Sequence, residues 1–92
     1  MDVIVEDVPD RHRYEARIGD KLAGYAEYVL RDGGIIFVHT QVDDAFEGQG
    51  VGSALARAAL DDARARGLAV EPRCPFIRGW IQRHPDYADL VA

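Results

Sequence analysis

What this 92-residue sequence lacks narrows its function before any motif is read. It has one cysteine, Cys74, so neither an intramolecular disulfide nor a cysteine-rich zinc site can form. The 11 Lys and Arg residues are outnumbered by 16 Asp and Glu, giving a formal net charge of −5, and no dense basic block occurs. A chain of that sign is a poor match for a phosphate backbone, which argues against DNA or RNA as a main partner. Nowhere do the roughly 20 consecutive apolar residues of a membrane span stand together. The opening Met1-Asp2-Val3-Ile4-Val5-Glu6-Asp7 is acidic where a signal peptide would be basic. A cytoplasmic location and no membrane partner are therefore expected. There is no internal repeat and no linker, and the length suits one domain over residues 1–92, a monomer or weak dimer. Hydrophobic residues make up 48% and charged residues 29%, a globular balance that excludes wholesale disorder.

The first half reads as strands. Val3-Ile4-Val5 is short and β-branched, and Pro9-Asp10 ends it. Tyr14, Ala16 and Ile18 alternate with Arg13, Glu15 and Arg17, the period of a half-buried strand. After Gly19-Asp20, Leu22 to Leu30 forms a second extended run, with Leu22, Gly24, Ala26, Tyr28 and Leu30 on one parity. Asp32-Gly33-Gly34 is a turn. Ile35 to Val42 is nearly continuous and apolar, which predicts the most buried strand of an antiparallel meander. The character changes at Asp43. A polar connection leads into a helix ending near Arg66, with Val51, Leu55, Ala58, Ala59, Asp62 and Ala63 near one face and Gly67 just beyond its end. Leu68 to Glu71 returns as a strand closed by Pro72. Pro75 suits the first turn of a second helix, Phe76 to about Arg83, and Asp86 to Leu90 forms a last turn. The order β-β-β-β-α-β-α implies an α+β fold. Its sheet is mixed and mainly antiparallel, with one parallel pair across the first helix.

Between the fourth strand and that helix lies Glu47-Gly48-Gln49-Gly50-Val51-Gly52-Ser53. Alternate glycines remove Cβ atoms, so backbone N–H groups can approach a ligand closely. The helix behind adds unpaired amides and roughly half a positive charge. This chemistry holds a pyrophosphate without lysine, which suits an acidic chain. There is no Gly-Lys-Ser/Thr, so the loop is not a triphosphate P-loop. The Gly-x-Gly-x-Gly spacing differs from Gly-x-Gly-x-x-Gly, and the chain is too short for a two-half dinucleotide fold. The bland alternative is a glycine-rich turn that only starts a helix.

Gly48-Gln49-Gly50-Val51-Gly52-Ser53-Ala54-Leu55, following the strand Phe37 to Val42, resembles the acetyl-CoA loop of the GNAT N-acetyltransferase superfamily. Glu47, Gly50 and Gly52 stand at the three positions of its Gln/Arg-x-x-Gly-x-Gly/Ala pattern, and Glu47 departs from it. Val38-His39-Thr40-Gln41-Val42, Pro72-Arg73-Cys74-Pro75-Phe76, Trp80-Ile81 and His84-Pro85-Asp86-Tyr87 together resemble the short, single-domain GNAT-like proteins of the YjdJ type. The resemblance runs from about Tyr14 to the end. It implies a minimal GNAT-like acyl-CoA N-acyltransferase fold. It also implies acetyl-CoA as cosubstrate, with its arm against the backbone around Gln41 and Val42. The pyrophosphate would lie on amides of Gly48, Gln49, Gly50, Val51, Gly52 and Ser53.

The same resemblance points to Cys74 as a catalytic residue. Several uses are open to it: a thiolate that carries the acetyl group, a thiol that protonates the leaving CoA sulfur, or a small buried hydrophobe. His39 shares a strand face with Gln41, opposite Val38, Thr40 and Val42. It is either a base for the acceptor amine, a partner for Cys74, or a hydrogen-bonded structural histidine. His12 and His84 read as surface and helix-end residues, and the histidines make a weak case for metal. Trp80 and Tyr87 read as packing rather than ligand stacking. Asp43, Asp44 and Glu47 read as a solvated face, with attraction of a cationic amine as the alternative. The expected function is acetyl transfer from acetyl-CoA to an amine on a protein or small molecule. The rivals are a non-catalytic CoA-binding sensor and an interaction domain whose loop binds nothing.

Overall fold

The computed structural model describes residues 2–92. Five strands form one sheet in the order β1-β2-β3-β4-β5, with β1 Val3–Val8, β2 Arg13–Ile18, β3 Lys21–Arg31, β4 Gly34–Val42 and β5 Ala69–Pro72. The first four pair antiparallel, and β5 lies parallel to β4 after the crossover helix α1, Val51–Ala65. Helix α2, Pro75–Arg83, and a 3-10 turn over Pro85–Leu90 complete the chain. The expected element order and α+β class are observed.

The core is one continuous cluster that Tyr14, Tyr28, Phe37, Leu55, Leu60, Ile77 and Trp80 join from sheet and helices alike. The stripe that α1 buries is Val51, Leu55, Ala56, Ala59, Leu60 and Ala63. It is rotated from the expected one: Ala56 and Leu60 are inside and Ala58 is only half-buried, while Asp62 stands at the margin as expected, where it accepts the Tyr14 hydroxyl at 2.5 Å. Tyr28 likewise donates to Asp7 at 2.6 Å. Burial and these carboxylate partners push both phenol pKa values well above their ordinary range.

Two bulges correct the simple alternation. Ala16 faces Gly24 while Arg17 faces Leu22, so Ala23 is an extra residue in β3. Ala23 is buried, and Leu22 does not share a face with Gly24 as simple parity requires. In the same way Glu27 faces His39 while Tyr28 faces Phe37, so Val38 is an extra residue in β4. Before this bulge Ile35 and Phe37 point into the core. After it Thr40 and Val42 do, because the period-2 pattern has slipped by one residue. Leu30, near the end of β3, is exposed.

The expectation that β4 is the most buried strand of the meander fits only its first half. Pairing with β5 runs from Gly34↔Ala69 to Phe37↔Pro72 and stops there. Pro72 has no N–H with which to extend the ladder. Val38, His39 and Gln41 are exposed as a result. On the sheet face opposite α1, Glu15 is 2% exposed although it is a carboxylate. Arg11, Arg13 and Arg17 close over it at 3.2, 2.8 and 3.1 Å. Burial raises the Glu15 carboxyl pKa, but the arginine hydrogen bonds and charges outweigh it and hold the group below its usual range.

Candidate functional site

The site begins where β4 and β5 part. Cys74 donates its backbone N–H to the Phe37 carbonyl at 2.8 Å, the last link between the two sides. Its side chain is 2% exposed and lies 3.2 Å from Thr40 Oγ1, and either atom can be the donor. The thiol therefore stands in the fork, touching the first core-facing residue of the unpaired half of β4. Cys74 also occupies the N-cap position of α2, with Pro75 in the first turn, where the missing proline N–H costs nothing.

At the open end of the fork lies a cleft of about 390 Å³. One wall is the loop after β4: Val42, Phe46, Glu47, Gly48, Gly50, Val51, Gly52 and Ser53. The other is one face of α2, Phe76, Trp80 and Arg83 at i, i+4 and i+7, with His84 just beyond. Gly48 and Gly50 have φ of 80° and 78°, a region open to glycine at little cost. Gly50 is the N-cap of α1 and no side chain caps the helix. Its first backbone bond is from Ala54 N–H to the Gly50 carbonyl at 3.0 Å. Among the described residues, the N–H groups of Val51, Gly52 and Ser53 have no acceptor, and all three residues line the cleft. No acidic residue lies in the first turn, so the helix-end potential is left for a ligand.

The walls are locked to one another. Trp80 Nε1 donates to Ser53 Oγ at 2.9 Å. A Cβ on Gly52 would stand 2.7 Å from Phe76 Cζ, so the bare glycine lets the ring lie against α1. Tyr87 meets the Trp80 ring edge-on at 5.1 Å and donates its hydroxyl to Asp61 at 2.7 Å. Trp80 and Tyr87 are thus packing residues, as their sequence context suggests.

Not every candidate reaches the cleft. Gln49 is exposed, does not line it, and its amide is already bonded to the Phe46 carbonyl at 3.3 Å. Gln41 and His39 lie on the other face of β4, joined at 3.2 Å between Gln41 Oε1 and His39 Nε2. His39 also sits 6.1 Å from the Tyr25 ring. Cys74 bonds to Thr40, on the face opposite His39, so the structure does not bring Cys74 and His39 together as a pair. Asp43 is a local cap, accepting from Ala45 N–H at 2.9 Å. Phe46, Phe76, Arg83 and His84 line the cleft without having been singled out for it. The i, i+4, i+7 spacing on α2 is the sequence signal that groups Phe76, Trp80 and Arg83. Among the described residues no cluster of His, Cys, Asp or Glu suits a metal, and no helix is long and apolar enough to cross a membrane.

A family model for the GCN5-related N-acetyl-transferases matches residues 13–90, which include both walls of the cleft and the fork. The chain belongs to the GCN5-related N-acetyltransferase family. It is 30% identical to Protein NATD1 of Xenopus tropicalis over 84 residues, 88% of this chain and 76% of that one. The solution structure of a GCN5-like protein from Staphylococcus aureus has the same fold, with a TM-score of 0.73 at 23% identity. That match covers 97% of this chain and 87% of the other. Membership makes acetyl transfer the general chemistry of the family.

Proposed function

We propose that the protein binds acetyl-CoA along the unpaired half of β4 and transfers its acetyl group to a primary amine. The observation that carries this reading is the row of unpartnered N–H groups at Val51, Gly52 and Ser53, residues that line the cleft together with Val42 at the end of β4. Those amides suit the pyrophosphate. The pantetheine arm would follow residues 38–42, roughly 17 Å of strand from Val42 back to Phe37. No strand occupies that edge beyond Phe37↔Pro72. The thioester would then reach Cys74.

The amine nitrogen attacks the thioester carbonyl carbon, a C–N bond forms and the C–S bond breaks. Cys74 Sγ–H gives its proton to the departing CoA sulfur, and the thiolate takes back the proton that the new amide nitrogen sheds. Direct transfer is favoured over an acetyl-Cys74 carrier because, among the described residues, Thr40 is the one side chain hydrogen-bonded to the thiol, and no base is. His39, exposed on the opposite face and opposite Glu27 in the register, takes the proton that the acceptor ammonium must lose first. Glu27 and His39 favour a cationic acceptor entering from that open face. The cytoplasm is the proposed location.

Calorimetric titration with acetyl-CoA and CoA, with ATP as control, tests the binding. Saturable binding of the first two is expected, and no binding at millimolar ligand would remove the proposal. Cys74→Ala should bind acetyl-CoA normally and lose transfer. An acetyl adduct on Cys74, seen by intact mass after incubation with acetyl-CoA alone, would replace direct transfer by the carrier route.

A further inference from the structure

Backbone amides supply partial charges, while the diphosphate and ribose phosphate of acetyl-CoA carry full ones. The loop gives no cationic side chain to meet them. At the position where the resembled pattern has Gln or Arg stands Glu47, a carboxylate on the wall of the cleft. The cleft's cationic and ionisable nitrogen side chains come from the far end of α2, as Arg83 and His84.

Arg83 has no ion-pair partner among the described residues, unlike Arg11, Arg13, Arg17, Arg64, Arg66 and Arg73. Its guanidinium folds back along α2, with Nη1 3.4 Å from where a Cβ on Gly79 would lie. The His84 ring stacks on Trp80, with centroids 3.7 Å apart and planes 13° apart. Its Nδ1 is 2.7 Å from the Trp80 carbonyl oxygen. A carbonyl only accepts, so Nδ1 carries a hydrogen. In a neutral imidazole Nε2 is then a bare lone pair, which repels a phosphate oxygen. A phosphate can be held there only when Nε2 is protonated too.

We infer that Arg83 and His84 are the side-chain ligands of the acetyl-CoA phosphates, and that binding draws a proton onto His84 Nε2. This rests on the reading of the loop as the acetyl-CoA cradle. The charged surroundings of His84 are mixed. Arg83 beside it, and Arg57 over the same indole at 5.3 Å, oppose an imidazolium. Glu47 on the facing wall, Asp86 two residues on, and Asp61 behind Tyr87 favour one. The incoming phosphates tip that balance.

The test is calorimetric titration near neutral pH, in buffers of unequal ionisation enthalpy, with acetyl-CoA and with S-acetyl-pantetheine, which lacks the phosphates. The unaltered protein should bind acetyl-CoA with net proton uptake. Arg83→Gln and His84→Gln should each weaken acetyl-CoA about tenfold and leave S-acetyl-pantetheine unchanged. His84→Gln should also abolish the proton uptake, which Arg83→Gln should retain. Arg83 is exposed, so its replacement leaves folding intact, and a melting curve checks His84→Gln, which gives up the stack on Trp80. Acetyl-CoA binding without proton uptake, or equal weakening of both ligands by the variants, overturns the inference and leaves the acetyl-CoA reading standing. Failure of the unaltered protein to bind acetyl-CoA removes both.

Discussion

Residues 35–37 and 38–42 of β4 share one strand and one antiparallel neighbour, β3, and differ in what lies on the other side. Ile35, Ile36 and Phe37 have β5 beside them and are buried. Val38 to Val42 have no strand there, and a one-residue bulge at Val38 turns the strand's faces over. The first half carries the pairing with β5, while the second leaves a backbone edge without a strand partner. A single proline and a single bulge separate packing from site. The contrast teaches that the candidate site consists of hydrogen-bonding capacity the fold leaves unspent.

The largest expected effect lies in the paired half. Phe37→Ala should cost about 3–5 kcal/mol in denaturant unfolding, because the ring is fully buried among Tyr14 and its neighbours. His39→Ala, two residues on, should change stability by no more than about 0.5 kcal/mol and still slow acetyl transfer. Equal destabilisation by both would break the contrast.

Two glycines sharpen it next. A Cβ on Gly24 would stand 2.7 Å from the Gln41 carbonyl oxygen and 3.1 Å from Val51 Cγ1. Backbone must give way, so Gly24→Ala should cost about 1–3 kcal/mol. A Cβ on Gly52 also meets an atom at 2.7 Å, but that atom is the far end of the Phe76 ring, a side chain 38% exposed that can turn away from α1. Alanine is also the better helix residue, by about 0.5–1 kcal/mol. Gly52→Ala should therefore leave the melting temperature level or higher while weakening acetyl-CoA, since the displaced ring moves into the cleft. Calorimetry and thermal unfolding on both variants check the pair.

A smaller effect concerns Glu15. Its carboxyl pKa lies below the unfolded value, so the stability it contributes is fully present above the ordinary carboxylate range. That contribution fades as pH falls through this range towards the lower folded value. Glu15→Gln should flatten the acid limb of a stability–pH curve and leave the shape near neutral pH unchanged. At the bottom of the scale, Asp89 pairs with Arg64 at 2.9 Å on the surface. Asp89→Asn should not move the melting temperature measurably.

Much of this arrangement is legible in the residues alone. Alternation in Arg13 to Ile18, the Asp32-Gly33-Gly34 turn and the glycines before Val51 place the strands, the crossover and the loop. Those signals are local in the chain. The fork is not, because it depends on where β5 stops beside β4, a pairing between residues 35 apart in sequence, Gly34 and Ala69. The bulge at Val38 hides for a similar reason: Ile35 to Val42 is apolar enough to look uniformly buried until its partner strand sets the register. Glu15 looks like a solvated carboxylate because the arginines that cover it are visible only once the strand orders their side chains. Arg83 and His84 look like an ordinary helix end, where cations are at home, until α2 is laid against α1.

The most direct test of the account is a map of backbone amide resonances as acetyl-CoA is added. The N–H signals of Val51, Gly52 and Ser53 should shift most, together with those of residues 38–42, while Ile35 to Phe37 stay in place. Shifts centred elsewhere on the molecule, or movement of Ile35 to Phe37 as large as that of the loop, would contradict it.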